Sequence, residues 1–305
     1  MPAATTSDMT QFADDATLAE KGKSADEIIQ KLQNSFMQIK SYCEKHELIL
    51  NAAKTQFILF KSPRRKILDN LSIELDGNVI QASDSVKLLG VWLDKHFTFS
   101  IHIEKAVKKA YGVLGALARA APHLPHELLR MAYIALVRTN LEYASAVIAS
   151  SAHTHLKRLD TVQKVASRII LQLPRDTHAA PLLQKLHLDS LDDRRSSHVI
   201  SLVNDIINGK VHPALLNMFA VASDGTTIVD CTTHTARTAI GKRRFSVFAK
   251  DLANKVHTVE ITNNGRQTQF SNNQQMIAIP VSSYPTITTC NSSSARGTVA
   301  DDKST

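Results

Sequence analysis

Near Phe97 the spacing of apolar residues changes character, and this change constrains the fold more than any other feature of the chain. Before it, short runs rich in strand formers alternate with turn residues. Thr55 to Phe60 reads as a strand ending at Ser62-Pro63, and Leu71 to Leu75 and Val79 to Gln81 read as a hairpin around Asp76-Gly77-Asn78. Val86 to Leu93 reads as one further strand that closes a small antiparallel set. One helix is embedded among them. Ser24 and Glu27 have capping-box spacing, and Ile28, Leu32, Phe36, Ile39 and Cys43 follow on one face. After Phe97 the period is helical. Val107, Tyr111, Leu114 and Leu117 line a helix that ends at Pro122 and Pro125, and Leu128 to Ile148 continues as a second. Leu156, Leu159, Val162, Val165 and Ile169 line a third, and Ser190 to Asn208, closed by Gly209, makes a fourth. Phe245, Phe248, Leu252 and Val256 suggest one last short helix. Beyond His257 the residues are mostly Asn, Gln, Ser and Thr, too poor in large apolar side chains to offset the entropy of ordering. The expectation is an α+β region over 1–97, a helical region over 98–257 and an unstructured tail over 258–305.

Charge follows a similar division. The 305 residues carry a formal +8, but residues 1–60 hold 6 Lys+Arg against 8 Asp+Glu while residues 61–257 hold 27 against 17. An acidic head and a basic body suit a polyanionic partner. Cys43, Cys231 and Cys290 are odd in number and far apart, which fits neither a disulfide framework nor a zinc site and favours a reducing compartment. No apolar run has the length of a membrane span, and Met1 to Thr10 has no signal-peptide pattern. The expected place is inside the cell, in nucleus or cytoplasm. The basic clusters Lys61 to Lys66 and Lys242-Arg243-Arg244 tilt this toward the nucleus. His123, His126, His153 and His155 lack partners at metal-ligand spacing and read as surface histidines.

The sharpest short feature is Phe12-Ala13-Asp14-Asp15. Adjacent carboxylates at a tight turn could bind Mg²⁺, which prefers hard oxygen ligands. Neighbours on a strand face opposite ways, so Asp14 is the candidate metal ligand and Asp15 the supporting one. Asp-Asp recurs at Asp192-Asp193 and Asp301-Asp302, so the pair carries weight only through its context. That context is an ordered series: Asn51-x-x-Lys54-Thr55, then Lys87-x-Leu89-Gly90-x-x-Leu93-Asp94, then Phe97-Thr98-Phe99 and His102-Ile103. Leu141-Glu142-Tyr143-Ala144, Leu159-x-x-Val162-Gln163-Lys164 and Arg237 to Phe248 follow. The series resembles the C-terminal half of the reverse transcriptase of non-LTR (LINE-type, jockey-like) retrotransposons, over roughly residues 11–255. The Trp-Asn that usually closes the family's pattern is absent.

The resemblance implies a partial polymerase palm over 1–97, a thumb-like helical bundle over 98–257, and nucleotidyl transfer onto a DNA primer copying an RNA template. In such a reaction metal ions clamp the attacking and leaving oxygens. By resemblance Asp14 ligates Mg²⁺, Asp15 supports the site, and Lys54 approaches the leaving pyrophosphate. Leu89, Gly90, Val91 and Trp92 correspond to the primer grip, and period-two counting puts Gly90 and Trp92 on one strand face. Trp92 also reads simply as core filling. Lys105, Lys108, Lys109, Arg119, Lys157, Arg158, Lys164 and Arg168 are candidate phosphate contacts of a template–primer duplex. No small-molecule cofactor beyond the nucleotide is implied. The family's fingers and a further metal-binding palm Asp stand upstream of its catalytic turn, and neither is found before Phe12. The expectation is therefore a polymerase fragment that is inactive alone. Two other readings stand beside it: a non-catalytic nucleic-acid-binding module, and an inert product of a decayed mobile element. A palm interrupted at its catalytic turn should also leave residues 1–97 less stable than the helices.

Overall fold

The computed structural model describes residues 8–51, 53–61, 71–75, 77–212, 215, 218–221, 228–230 and 245–264. It is a mixed fold of helices and small antiparallel sheets. Strands β1 (Asp8–Phe12) and β2 (Asp15–Ala19) form a hairpin in which Phe12 pairs with Asp15 across the turn Ala13-Asp14. Ala13 takes left-handed backbone at φ 52°. None of the ten strand residues is buried. Helix α1 (Ala25–Lys45) begins as the capping chemistry dictates: the Glu27 amide donates to Ser24 Oγ at 3.2 Å. The Glu27 carboxylate reaches one residue further back than in the usual box, accepting from the Lys23 amide at 3.0 Å.

β3 (Ser72–Leu75) and β4 (Asn78–Gln81) form the expected hairpin, with Gly77 at φ 73°. Asp76 lies outside the described residues. Phe57, Ile73 and Leu75 make a small core under Leu32 and Phe36 of α1. Two expectations fail here. Thr55 to Phe60 is not a strand. Among the described residues its ladder contact is a parallel bridge between Phe57 and Ala82. Val86 to Leu93 is not one strand but two, β5 (Ser85–Leu88) and β6 (Val91–Asp94), paired around Leu89-Gly90. Both turn residues have positive φ, 44° and 85°, the backbone of a tight primed turn. The sheets are separate two-stranded hairpins rather than one closed set.

The turn from β6 into α2 (Ser100–Ala120) is built on Asp94. Its nearly buried carboxylate accepts from the amides of His96 and Thr98 and from the Thr98 hydroxyl, at 3.0–3.1 Å. Phe97 and Phe99 flank it in left-handed backbone and stack edge-on, with centroids 5.0 Å apart. Helix α2 buries Ile103, Val107, Ala110 and Leu114 against Leu159, Val162, Ala166 and Ile170 of α6 (His153–Ile170). Each large aliphatic side chain removed from water here stabilises the fold by about 1.5–3 kcal/mol. Tyr111, expected on this face, sits at its edge and is 41% exposed.

The expected helix Leu128 to Ile148 is broken. It runs as α3 (His126–Ala132), a π-helical turn (Tyr133–Arg138) and α4 (Thr139–Glu142), stops at Tyr143-Ala144, and resumes as α5 (Ser145–Ile148). Ala144 lies at φ 54°, outside helical backbone, which turns the chain aside. Two further elements carried no sequence signal strong enough to register. One is α7 (Ala180–Lys185); the other is the hairpin β7 (Phe219–Val221) with β8 (Ile228–Asp230).

Helix α8 (Leu191–Ile207) starts at Ser190, whose Oγ accepts the Asp193 amide, and ends near Gly209 at φ 71° as expected. Its start is fixed to α6 by Gln163, which is buried. Gln163 Nε2 donates to the Asp189 carbonyl at 2.9 Å and its Oε1 accepts the Leu191 amide at 3.2 Å. α8, β7–β8 and α9 (Phe245–Asn264) share a second core around Val203, Ile206, Phe219 and Ala249. Helix α9 thus continues seven residues past the boundary expected at His257. Residues 265–305, Arg237 to Arg244, the 62–66 and 242–244 basic clusters, Cys231, Cys290 and Asp301-Asp302 lie outside the described residues. Cys43 is a buried free thiol. Among the described residues no helix is long and apolar enough to cross a membrane.

Candidate functional site

Asp14 occupies the tip of the β1–β2 hairpin and Asp15 the first residue of β2. Both are exposed, as is Phe12 beside them. Among the described residues the side-chain contact at the tip is local: Gln11 Nε2 donates to the Ala13 carbonyl at 2.9 Å. Among the described residues no group of three or more His, Cys, Asp or Glu side chains is gathered to hold a metal. A Mg²⁺ ion needs only one or two protein carboxylates when waters and substrate phosphates complete its shell, so the pair fits a share of such a site but not a closed one. Asn51 caps a single turn, with its Oδ1 accepting the Lys54 amide at 3.2 Å and its carbonyl accepting the Thr55 hydroxyl at 3.0 Å. That turn leaves the Lys54 side chain exposed. No ion pair joins Lys54 to Asp14 or Asp15, so the three candidate catalytic residues are not brought together by direct contact.

The Leu89 to Trp92 segment is a defined structure of another kind than expected. Because Leu89 and Gly90 form a turn, Gly90 and Trp92 do not share a strand face. Leu89 projects at the hairpin tip, 46% exposed, with φ 44°. A bulky residue in left-handed backbone costs of order 1 kcal/mol and persists only where its surroundings enforce it. Here the enforcing contact is Tyr143, whose hydroxyl donates to the Leu89 carbonyl at 2.5 Å. Its ring covers Gly90 so closely that a Cβ there would lie 2.8 Å from the Tyr143 oxygen. Beneath the hairpin, the Trp92 amide donates to Nδ1 of buried His102 at 3.4 Å. Burial holds the His102 imidazole below its ordinary pKa, opposed in part by the Tyr143 backbone. Trp92 is half-buried rather than core, and the Lys105 ammonium sits 3.2 Å from its ring centroid. Lys105 is therefore already engaged in a cation–π contact.

Of the remaining basic candidates, Lys108, Lys109 and Arg119 are exposed on α2, and Lys157, Arg158 and Lys164 are exposed on α6. Arg168 is half-buried and donates through Nε to the Thr177 carbonyl at 2.8 Å, bracing the loop after α6. These side chains line the outer faces of the two helices whose inner faces form the core. His126 Nδ1 contacts the Ile170 carbonyl, a structural rather than a metal-binding position.

Sequence reasoning missed two contributors, Tyr143 and Glu142. Glu142 holds Arg194 through both carboxylate oxygens and lies 3.9 Å from Arg138. The pair joins α4 to α8. Their motif, Leu141-Glu142-Tyr143-Ala144, stood out in the sequence, but partners 54 and 52 residues away cannot be read from spacing.

No family model and no solved structure matches the chain. Among curated proteins it is similar to the probable RNA-directed DNA polymerase from transposon BS of Drosophila melanogaster, at 24% identity over 195 residues, 62% of this chain and 21% of that protein. The probable RNA-directed DNA polymerase from transposon X-element of the same species is 21% identical over 197 residues, again 62% of this chain and 21% of the relative. The RNA-directed DNA polymerase from mobile element jockey of Drosophila funebris is 25% identical over 166 residues, 53% of this chain and 18% of the relative. The chain thus spans about a fifth of the length of the curated relatives it matches, and its likeness is to RNA-directed DNA polymerases of mobile elements.

Proposed function

We propose that this chain is part of a non-LTR retrotransposon reverse transcriptase, and that by itself it binds an RNA template–DNA primer duplex without extending it. The observation that carries the reading is the similarity to three proteins each named as an RNA-directed DNA polymerase, over more than half of the chain. On this reading residues 1–97 are palm-derived and residues 98–257 act as a thumb. The β5–β6 tip, with strained and exposed Leu89, meets the primer end. Lys108, Lys109, Lys157, Arg158 and Lys164 contact phosphates, while Lys105 contributes its charge from its seat on Trp92. Asp14 and Asp15 would supply part of a Mg²⁺ site in the complete enzyme, where the ion would stabilise charge on a transferring phosphate. Lys54 would neutralise a leaving pyrophosphate if brought near it.

Binding is favoured over chemistry because the carboxylate pair is exposed, has no third ligating side chain among the described residues, and is not in contact with Lys54. A filter-binding titration with an RNA–DNA template–primer tests this. Affinity should fall steeply with salt, by about 0.7–0.9 log units per log unit of salt for each phosphate neutralised. Absent or salt-independent binding overturns the nucleic-acid reading. Primer extension above background by the purified chain with Mg²⁺ or Mn²⁺ overturns the claim of inactivity.

A further inference from the structure

A groove of about 730 Å³ runs between α2 and α6, closed at one end by the loop after α6. There Gln172 Nε2 donates to the Ala121 carbonyl at 2.6 Å. The floor is aliphatic, and Tyr111 stands at the rim, 41% exposed. Arg168 and Arg175 line the groove, and the guanidinium of Arg119 lies 3.8 Å from where a Gly115 Cβ would stand. None of these three arginines has a carboxylate partner among the described residues, and no acidic side chain lines the groove. A guanidinium without a carboxylate is suited to phosphate oxygens; Arg168, which donates through Nε to the Thr177 carbonyl and through Nη1 to the Lys164 carbonyl, keeps Nη2 for one. An apolar trough of this size, within the range that accepts small ligands, adds a place for a flat apolar group.

We propose that this groove binds an unpaired stretch of nucleic acid, a base entering beside Tyr111 over Gly115 and its phosphates meeting Arg119, Arg168 and Arg175. The inference takes from the reading above only the class of polymer; Arg119 and Arg168 were also candidate duplex contacts, so the test relies on Tyr111 and Gly115, which were not. A base within a duplex offers its edges, whereas an unpaired base offers a face for stacking on an aromatic ring. An acidic amphipathic helix is the competing occupant. Its apolar face could also lie along Leu114, Val165 and Ile169, but the half-exposed ring of Tyr111 at the rim suits the face of a flat base.

Gly115 supplies a clean test. A Cβ at Gly115 would have only the Arg119 guanidinium within 4 Å, at an ordinary contact distance of 3.8 Å, so Gly115→Leu fills the groove while replacing a poor helix former with a good one. Fluorescence anisotropy would compare a short oligoadenylate RNA, a base-less phosphodiester chain of equal length, an RNA–DNA duplex and a glutamate-rich amphipathic peptide. Oligoadenylate should bind more tightly than the base-less chain. Gly115→Leu and Tyr111→Ala should each weaken it about tenfold, with the duplex unaffected and the melting temperature of Gly115→Leu unchanged or higher. Equal binding of oligoadenylate and the base-less chain overturns the proposal, as do variants that leave oligoadenylate binding intact. So does a groove that Gly115→Leu closes to the peptide alone. Failure of the duplex to bind wild-type protein, with oligoadenylate behaving as stated, would overturn the template–primer reading and leave this one standing.

Discussion

Tyr143 is half exposed, yet its hydroxyl reaches the Leu89 carbonyl and its ring lies on Gly90. Two adjacent positive-φ residues, one of them leucine, need such a support. Removing the hydroxyl in Tyr143→Phe leaves the carbonyl accessible to water, so the loss should be at the modest end for a hydrogen bond, about 1 kcal/mol. Gly90→Ala meets both a strained backbone at φ 85° and the Tyr143 oxygen, and should cost about 2 kcal/mol. Because the two residues touch, the losses should not add. In the double variant the closest atom is gone, although ring carbons at 3.0 and 3.1 Å remain. Urea unfolding of the four proteins in this cycle measures the coupling. A neutral Tyr143→Phe together with strict additivity would mean that the contact does not hold the turn.

Among the elements, what the sequence revealed was governed by distance along the chain. The starts of α1 and α8 are set by Ser24 and Ser190 acting on amides three residues ahead, so residue type and spacing identified both. The β3–β4 hairpin carries its turn signal within two residues. The β5–β6 hairpin does not, because Val86 to Leu93 is a nearly continuous apolar run and Leu-Gly is a weak turn pair without Tyr143 to hold it. The helix after Pro125 likewise looked continuous, since its break depends on Ala144 taking left-handed backbone. Asp14-Asp15 was legible as a turn, but the exposure of that turn was not. The side chain that ties α4 to α8, Glu142, is one whose charge had no reader in the sequence. Its carboxylate and the guanidiniums of Arg194 and Arg138 are all largely shielded from water. Glu142→Gln keeps the shape, leaves Arg138 without its anion and leaves Arg194 only the Asp189 carboxylate at 3.9 Å, so it should destabilise the protein by about 2 kcal/mol, below the full cost of breaking a deeply buried pair. Thermal unfolding of Glu142→Gln beside the exposed control Glu127→Gln checks this. Equal melting temperatures would show that the α4–α8 bridge contributes nothing.

Across the molecule, apolar burial is unequal. Among the described residues the core formed by α2, α6 and their neighbours contains twenty buried side chains, Ile103, Leu129, Leu159 and Val162 fully so. The small core of α1 with β3–β4 contains three. The β1–β2 hairpin contains none, although it carries the carboxylate pair. A two-stranded hairpin without a packed face is marginal in water, because its hydrogen bonds must offset chain entropy unaided. Local opening should therefore reach residues 8–19 at little free-energy cost and the centres of α2 and α6 only through global unfolding. Hydrogen exchange should show amides of β1 and β2 exchanging fastest, those of α1 and β3–β4 next, and those around Ile103 and Leu159 slowest. Substitution should follow the same gradient. Leu159→Ala removes side-chain volume from a closed core and should cost about 3 kcal/mol, whereas Phe12→Ala at the exposed hairpin should leave the global transition where it is. Equal protection of the hairpin and of α2 would mean that the hairpin is anchored by contacts beyond those among the described residues. If β1 and β2 become protected only when template–primer is added, the carboxylate turn is ordered by its ligand, and any polymerase chemistry at Asp14 and Asp15 requires that ordering first.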